Sequence, residues 1–252
     1  YKKSPQCFFM ELKSGEYWKK HRAIFLQVLH GYFNSKSDML EKWALEEASD
    51  LADVFVNCGE AAFDPNSYIP LATLSFMQRL LFDKKGSLDN SQEDTDFVAF
   101  AHGRRKLADG VLTFTNLVEI VPVIWRPVFA LFKQKLIRGF FKGLLTVERY
   151  LPKNIEQHQK TFDPEKLRDL TDAFLKASSE QTESDRKNFR LSPNDLIKGT
   201  LSQIVGPGTE FPRVILHWCL LYMIVYPEIQ AKIHKELDEV VGKEQQPCLN
   251  HR

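Results

Sequence analysis

Residues 193–225 read as one long apolar helix, about 50 Å if unbroken, and a helix apolar on most sides is buried among other elements. One stretch interrupts it, "GPGTEFP" at 206–212. Pro212 has no N–H, so the carbonyl of residue 208 loses its helical partner and is crowded by the ring. That costs about 3 kcal/mol in an ordinary helix interior. Pro207 adds a second break. The expectation is a kink or an unwound turn between about 205 and 212, with a loop joining two shorter helices as the alternative.

The rest of the chain is patterned for helices to pack around that one. "GEYWKKHRAIFLQVLHGYF" (15–33) places Trp18, Arg22, Phe25 and Leu29 on one side at three- and four-residue steps. "SDMLEKWALEEASDLADVFVNCG" (37–59) repeats Leu40, Trp43, Leu51, Val54 and Phe55 and stops at Gly59. A helix is expected within 64–82 and another over about 93–108. Residues 109–132 are apolar and proline-broken, and helix resumes near 132 through "LPKN". Asp163 is the expected N-cap of the next helix, with Pro164 at its first position. A polar loop, expected to be mobile, spans 179–190. Ser192 is the expected cap before Pro193, and a last helix begins at Pro227 and closes at Gly242. Strand signals are few and internal repeats absent. The expected class is mainly α, with residues 1–252 forming one partial domain.

Composition narrows the function. Lys+Arg total 34 against 33 Asp+Glu, so no basic footprint points to nucleic acid. The run "HGRRK" (102–106) fits a solvated helix face. Cys7, Cys58, Cys219 and Cys248 are scattered without a C-x-x-C, which fits free thiols in a reducing compartment. No secretory signal, glycosylation sequon or convincing transmembrane span is present. "GPG" lacks phosphate-loop spacing, and no H-E-x-x-H or G-x-S-x-G occurs, which argues against P-loop, zinc-hydrolase and serine-hydrolase chemistry. The chain opens on "YKKSPQCFF" and ends on "CLNHR", and both ends are expected to continue into a longer protein.

Three stretches together resemble microsomal cytochromes P450, in that family's order and at its spacing. They are "YWKKHRAIF" (17–25), "FDPEKLRDLTDAFLKA" (162–177) and "YPEIQAKIHKELDEVVGKEQQPCLNHR" (226–252). The resemblance covers essentially the whole chain and is strongest to the group of aryl-hydrocarbon hydroxylases and steroid 17-hydroxylases. It implies the central helical part of the cytochrome P450 fold, from the W-x-x-x-R helix to the helix after the long distal one.

The resemblance also implies roles. Trp18 and Arg22 match the pair that hydrogen-bonds a haem propionate, and i, i+4 side chains do share a helix face. Against the family pattern [AG]-G-x-[DE]-T-[TS], this chain reads Pro207, Gly208, Thr209, Glu210, Phe211, Pro212. Gly208 matches the oxygen groove beside the haem and Glu210 the proton-relay acid. Phe211 replaces the relay alcohol, and Pro207 and Phe211 would line the substrate pocket. Thr209 cannot take over that hydroxyl, because two positions turn it roughly 200° around a helix.

The implied activity is insertion of one oxygen atom from dioxygen into an apolar aromatic, steroid or xenobiotic substrate. Electrons would come from NADPH through NADPH-cytochrome P450 reductase. The implied site is the cytoplasmic face of the endoplasmic reticulum membrane, held by an N-terminal anchor not in this sequence. The family's iron-ligand cysteine loop and its preceding E-x-x-R are also absent from these residues, so no metal ligand is assigned. The 252-residue chain alone is expected to be inactive. Two alternatives remain at this point: a haem-dependent isomerase or dehydratase needing no dioxygen activation, and a non-enzymatic truncated helical protein.

Overall fold

A computed structural model describes residues 15–59, 61–86, 99–100, 103, 106, 122–123, 127, 134–182, 193–243 and 245–251. Among them the structure is helical, without a strand. The α-helices are α1 (Glu16–Ser35), α2 (Ser37–Asn57), α3 (Ile69–Phe82), α4 (Gln134–Lys160), α5 (Leu170–Ser179), α6 (Pro193–Val225) and α7 (Pro227–Val240). The helix expected over 93–108 is helical at residues 99, 100, 103 and 106, the positions described there. Most of the expected irregular stretch 109–132, the loop after residue 182 and Ser192 lie outside the described residues.

Local punctuation sets several boundaries. α2 ends two residues before Gly59, whose φ of +61° is a conformation other residues adopt at a cost. Pro227 opens α7, and Gly242 (φ +83°) closes it by donating its N–H to the Leu237 carbonyl at 3.1 Å. Asp64 caps a short 3₁₀ turn, Pro65–Ser67, ahead of α3 by accepting from the Asn66 N–H at 2.9 Å.

The start of α5 corrects the expectation. Asp163 accepts the Glu165 N–H at 3.0 Å and makes only a turn. The helix begins six residues later, with Asp169 as N-cap accepting the Asp172 N–H at 3.0 Å. A contact distant in sequence decides this. The other oxygen of Asp169 lies 2.6 Å from His158 Nε2 on α4, and both side chains are buried. Asp172 is held in turn by Arg168 Nε at 2.7 Å and by its terminal nitrogen at 2.9 Å.

α6 is the central element and packs most extensively on α3, then on α5 and α4. The fully buried core gathers Leu81, Leu151, Leu170, Phe174, Ile197, Leu201 and Val205 from these four helices. α1 joins through Phe25, stacked on Phe174 with centroids 6.2 Å apart. Its buried positions are His21, Ile24 and Tyr32, so the buried stripe is rotated from the one expected and leaves Arg22 exposed. Among the described residues, no single helix is long and apolar enough to cross a membrane.

Helix α6 is assigned without interruption from Pro193 to Val225, through both Pro207 and Pro212, so neither an unwound turn nor a connecting loop forms. Gly208 meets Met77 of α3 so closely that an added Cβ would lie 2.6 Å from its sulfur. Packing against α3 overrides the local cost of the prolines. The Thr209 hydroxyl turns back along the helix, donating to the carbonyls of Val205 at 2.8 Å and Gly206 at 3.1 Å.

Candidate functional site

Trp18 and Arg22 sit one turn apart near the start of α1, with the guanidinium 5.7 Å from the indole centroid. Arg22 is exposed and has no carboxylate partner among the described residues. Between them His21 points the other way, into the core, where its Nε2 lies 2.9 Å from the Thr200 hydroxyl of α6. This buried bond ties α1 to α6 through His21. The W-x-x-x-R spacing did not single out His21.

Thr200 and Pro207 are seven residues apart, which on a helix brings them within about 20° of one face and about 10 Å along the axis. Pro207 is exposed and Phe211, one turn further, is 68% exposed. The exposed face of α6 begins at Pro207 and Phe211. It continues through Ile215, Trp218 and Tyr222, the last two with centroids 6.1 Å apart. Trp18 and Arg22 carry N–H donors of the kind that bind a carboxylate, and the exposed face of α6 is apolar.

The remaining site candidates are placed differently. Gly208 faces α3, and its bare Cα serves the approach of Met77. Glu210 is half-buried and engaged: Arg213, one turn on, brings Nε to 3.0 Å and a terminal nitrogen to 2.8 Å from the same carboxylate oxygen. Arg213 was not singled out from the sequence, although the i, i+3 spacing from Glu210 is a signal for it. Thr209 is buried with its hydroxyl committed to its own helix. Neither Thr209 nor Phe211 offers a free hydroxyl on the exposed face. Elsewhere, His158, Asp169 and Asp172 bring three donor atoms within 4.8 Å of one another. Those donors are spent on each other and on Arg168.

A family model described as Cytochrome P450 matches residues 4–252. Among curated relatives, the chain is 28% identical over 250 residues to the polybrominated aromatic compounds synthase of Pseudoalteromonas luteoviolacea, covering 99% of this chain and 50% of that one. It is 29% identical to the steroid 17-alpha-hydroxylase/17,20 lyase of Ictalurus punctatus, covering 96% of this chain and 46% of the relative. With cytochrome P450 1A1 of Felis catus it shares 26% identity over 95% of this chain and 46% of that one. A solved zebrafish cytochrome P450 with progesterone superposes with a TM-score of 0.76 at 21% identity, covering 94% of this chain and 51% of that chain. That likeness shows the fold. The chain spans about half the length of the curated relatives it matches.

Proposed function

Because the chain belongs to the cytochrome P450 family, we propose that residues 1–252 form part of one domain of a haem-thiolate monooxygenase acting on an apolar aromatic or steroid-like substrate. The single observation that supports the haem assignment is the Trp18–Arg22 pair, one turn apart on α1 with the guanidinium 5.7 Å from the indole centroid. Two relatives, a synthase of polybrominated aromatic compounds and a steroid 17-alpha-hydroxylase/17,20 lyase, support the substrate class. A reductase carrying electrons from NADPH is the partner, and the endoplasmic reticulum membrane the location, that go with this reading.

The haem, when bound, supplies oxygen activation and oxygen transfer. This chain's residues bind and shape. Arg22 and Trp18 would hold the group by donating hydrogen bonds to a propionate, offsetting its charge. Pro207 and Phe211 present apolar surface to the substrate side and exclude water. Glu210 is the remaining relay acid, but one of its oxygens is taken by Arg213, and Phe211 beside it offers no hydroxyl. Proton delivery toward the site is therefore poor.

That last observation favours a second reading, an isomerase or dehydratase acting on a hydroperoxide, which needs no proton relay to dioxygen. Product formed per NADPH, measured on the longer protein with reductase and dioxygen, separates the two. Low coupling with leakage to peroxide is expected, and Phe211→Thr is expected to raise coupling several-fold. Equal coupling in the two proteins contradicts the role given to Phe211. Turnover of a fatty-acid hydroperoxide without NADPH, faster than the dioxygen reaction, establishes the second reading instead.

A further inference from the structure

After α7 the chain makes one 3₁₀ turn, Leu249–His251, closed by the His251 N–H donating to the Cys248 carbonyl at 3.0 Å. The turn brings a thiol and an imidazole together. His251 Nδ1 accepts the Cys248 N–H at 3.0 Å, and Cys248 Sγ lies 3.5 Å from the same nitrogen. Accepting a backbone N–H places the proton of the neutral ring on Nε2 and leaves the Nδ1 lone pair toward Cys248. The turn is also held on α2, where Glu41 accepts the Leu249 N–H at 2.6 Å. Cys248 is free and half-buried, as is Cys58 at the end of α2. No histidine among the described residues bonds to the Cys58 thiol.

Cys248 also lines a cavity of about 500 Å³ between α2, Lys85 and the turn, so a small reagent can reach the sulfur. The walls carry four carboxylates, Asp38, Glu41, Glu46 and Asp50, against two ammonium groups, Lys42 and Lys85. Lys85 is 2.6 Å from Asp50 and Lys42 is 4.0 Å from Glu46, which leaves the wall net negative. A wall of that sign repels anionic reagents and admits uncharged ones.

We propose that Cys248 is an oxidative modification site, a thiol that hydrogen peroxide converts to a sulfenic acid with His251 as its base. The thiol proton passes to His251 Nδ1, displacing the Cys248 N–H, while the sulfur attacks one peroxide oxygen. An S–O bond forms and the O–O bond breaks. The departing hydroxide takes the proton from His251 and leaves as water. Sulfur is oxidised by two electrons and peroxide is reduced by two, so one thiol and one peroxide give one sulfenic acid and one water. Because the proton goes directly to the imidazole, no free thiolate has to persist beside the carboxylates. Nothing in this step depends on haem or on the reading above.

The test exposes the longer protein to hydrogen peroxide, traps sulfenic acid with dimedone and compares the Cys248 and Cys58 peptides by mass spectrometry. Cys248 is expected to be labelled about tenfold faster or more. Labelling no faster than Cys58 overturns the proposal. His251→Asn separates base from structure, because the amide oxygen can still accept the Cys248 N–H but takes no proton. It is expected to bring Cys248 down to the rate of Cys58. A variant that keeps the wild-type rate removes His251 from the step and overturns the proposal.

Two further arms test geometry and reagent. In concentrated urea the preference for Cys248 is expected to vanish, and a preference that persists there does not come from the folded turn and overturns the proposal. Glutathione disulfide, which carries carboxylates, is expected to discriminate less between Cys248 and Cys58 than peroxide does. Discrimination as large as that of peroxide overturns the assignment of an uncharged oxidant.

Discussion

Asp169→Ala is expected to destabilise the chain by about 3–5 kcal/mol, one of the two largest effects of any single substitution considered. Its carboxylate does two things with no slack. One oxygen caps α5 through the Asp172 N–H, and the other holds His158 Nε2 at 2.6 Å across the α4–α5 corner. Asp169 is completely buried and His158 nearly so, so truncation leaves the imidazole Nε2 buried without its partner, while Nδ1 keeps the Asn154 carbonyl at 3.1 Å. Asp169→Asn keeps an N-cap and separates the two contributions, the cap alone accounting for about 1 kcal/mol.

The pair also carries a pH signature. Burial pulls the His158 pKa down, but its hydrogen bond to Asp169 and the charge of that carboxylate outweigh burial, so the net direction is upward. A base whose folded pKa is raised contributes stability fully below its unfolded pKa, about 6.5, and loses it as pH rises through the folded value. The stability gap between wild type and Asp169→Asn is therefore expected to be widest near pH 6 and to narrow as pH rises above it. Urea titrations across that range check both size and slope, and a gap that widens with pH contradicts the assignment.

Phe174→Ala is expected to cost a similar amount, about 3–5 kcal/mol. The ring is 1% exposed, lies in the core cluster with Ile197 and Leu201 of α6, and stacks on Phe25 of α1. Truncation opens a cavity walled by several helices, none of which can move in without breaking its own packing. Phe174→Leu fills most of that volume and should cost under about 1.5 kcal/mol. Chemical denaturation distinguishes them, and an alanine variant within 1 kcal/mol of wild type means that the core collapses around the gap.

The fold was legible where local chemistry decides it. Gly59, Pro227 and Gly242 mark ends that the structure keeps, because a positive φ or a missing N–H acts within a few residues. It was not legible where a distant partner decides. Asp163 was the cap expected from the sequence, and the buried His158 selects Asp169 instead. Pro207 and Pro212 predict a broken helix by backbone rules, yet α3 closes over Gly208 and the helix continues. On α2 the expected stripe counted apolar residues and so passed over Glu47, which is buried beside Trp43 on the inner face.

The site divides in the same way. Trp18 and Arg22 stand together because i, i+4 spacing alone guarantees it. What Gly208 and Glu210 touch depends on Met77 and Arg213. The periodicity of α6 gave no warning of the first, and the second was a spacing signal left unread.

Haem retention by the longer protein tests the assignment of α1 and α6 most directly, measured as the absorbance of the carbon-monoxide complex in wild type, Arg22→Ala and Trp18→Phe. Wild type is expected to show the red-shifted Soret band of a thiolate-ligated haem. Arg22→Ala is expected to lose haem about tenfold more readily, for the loss of a charge-assisted hydrogen bond of roughly 1.5 kcal/mol, with Trp18→Phe affected less. A protein that binds no haem, or an Arg22→Ala variant that retains it as firmly as wild type, contradicts the assignment.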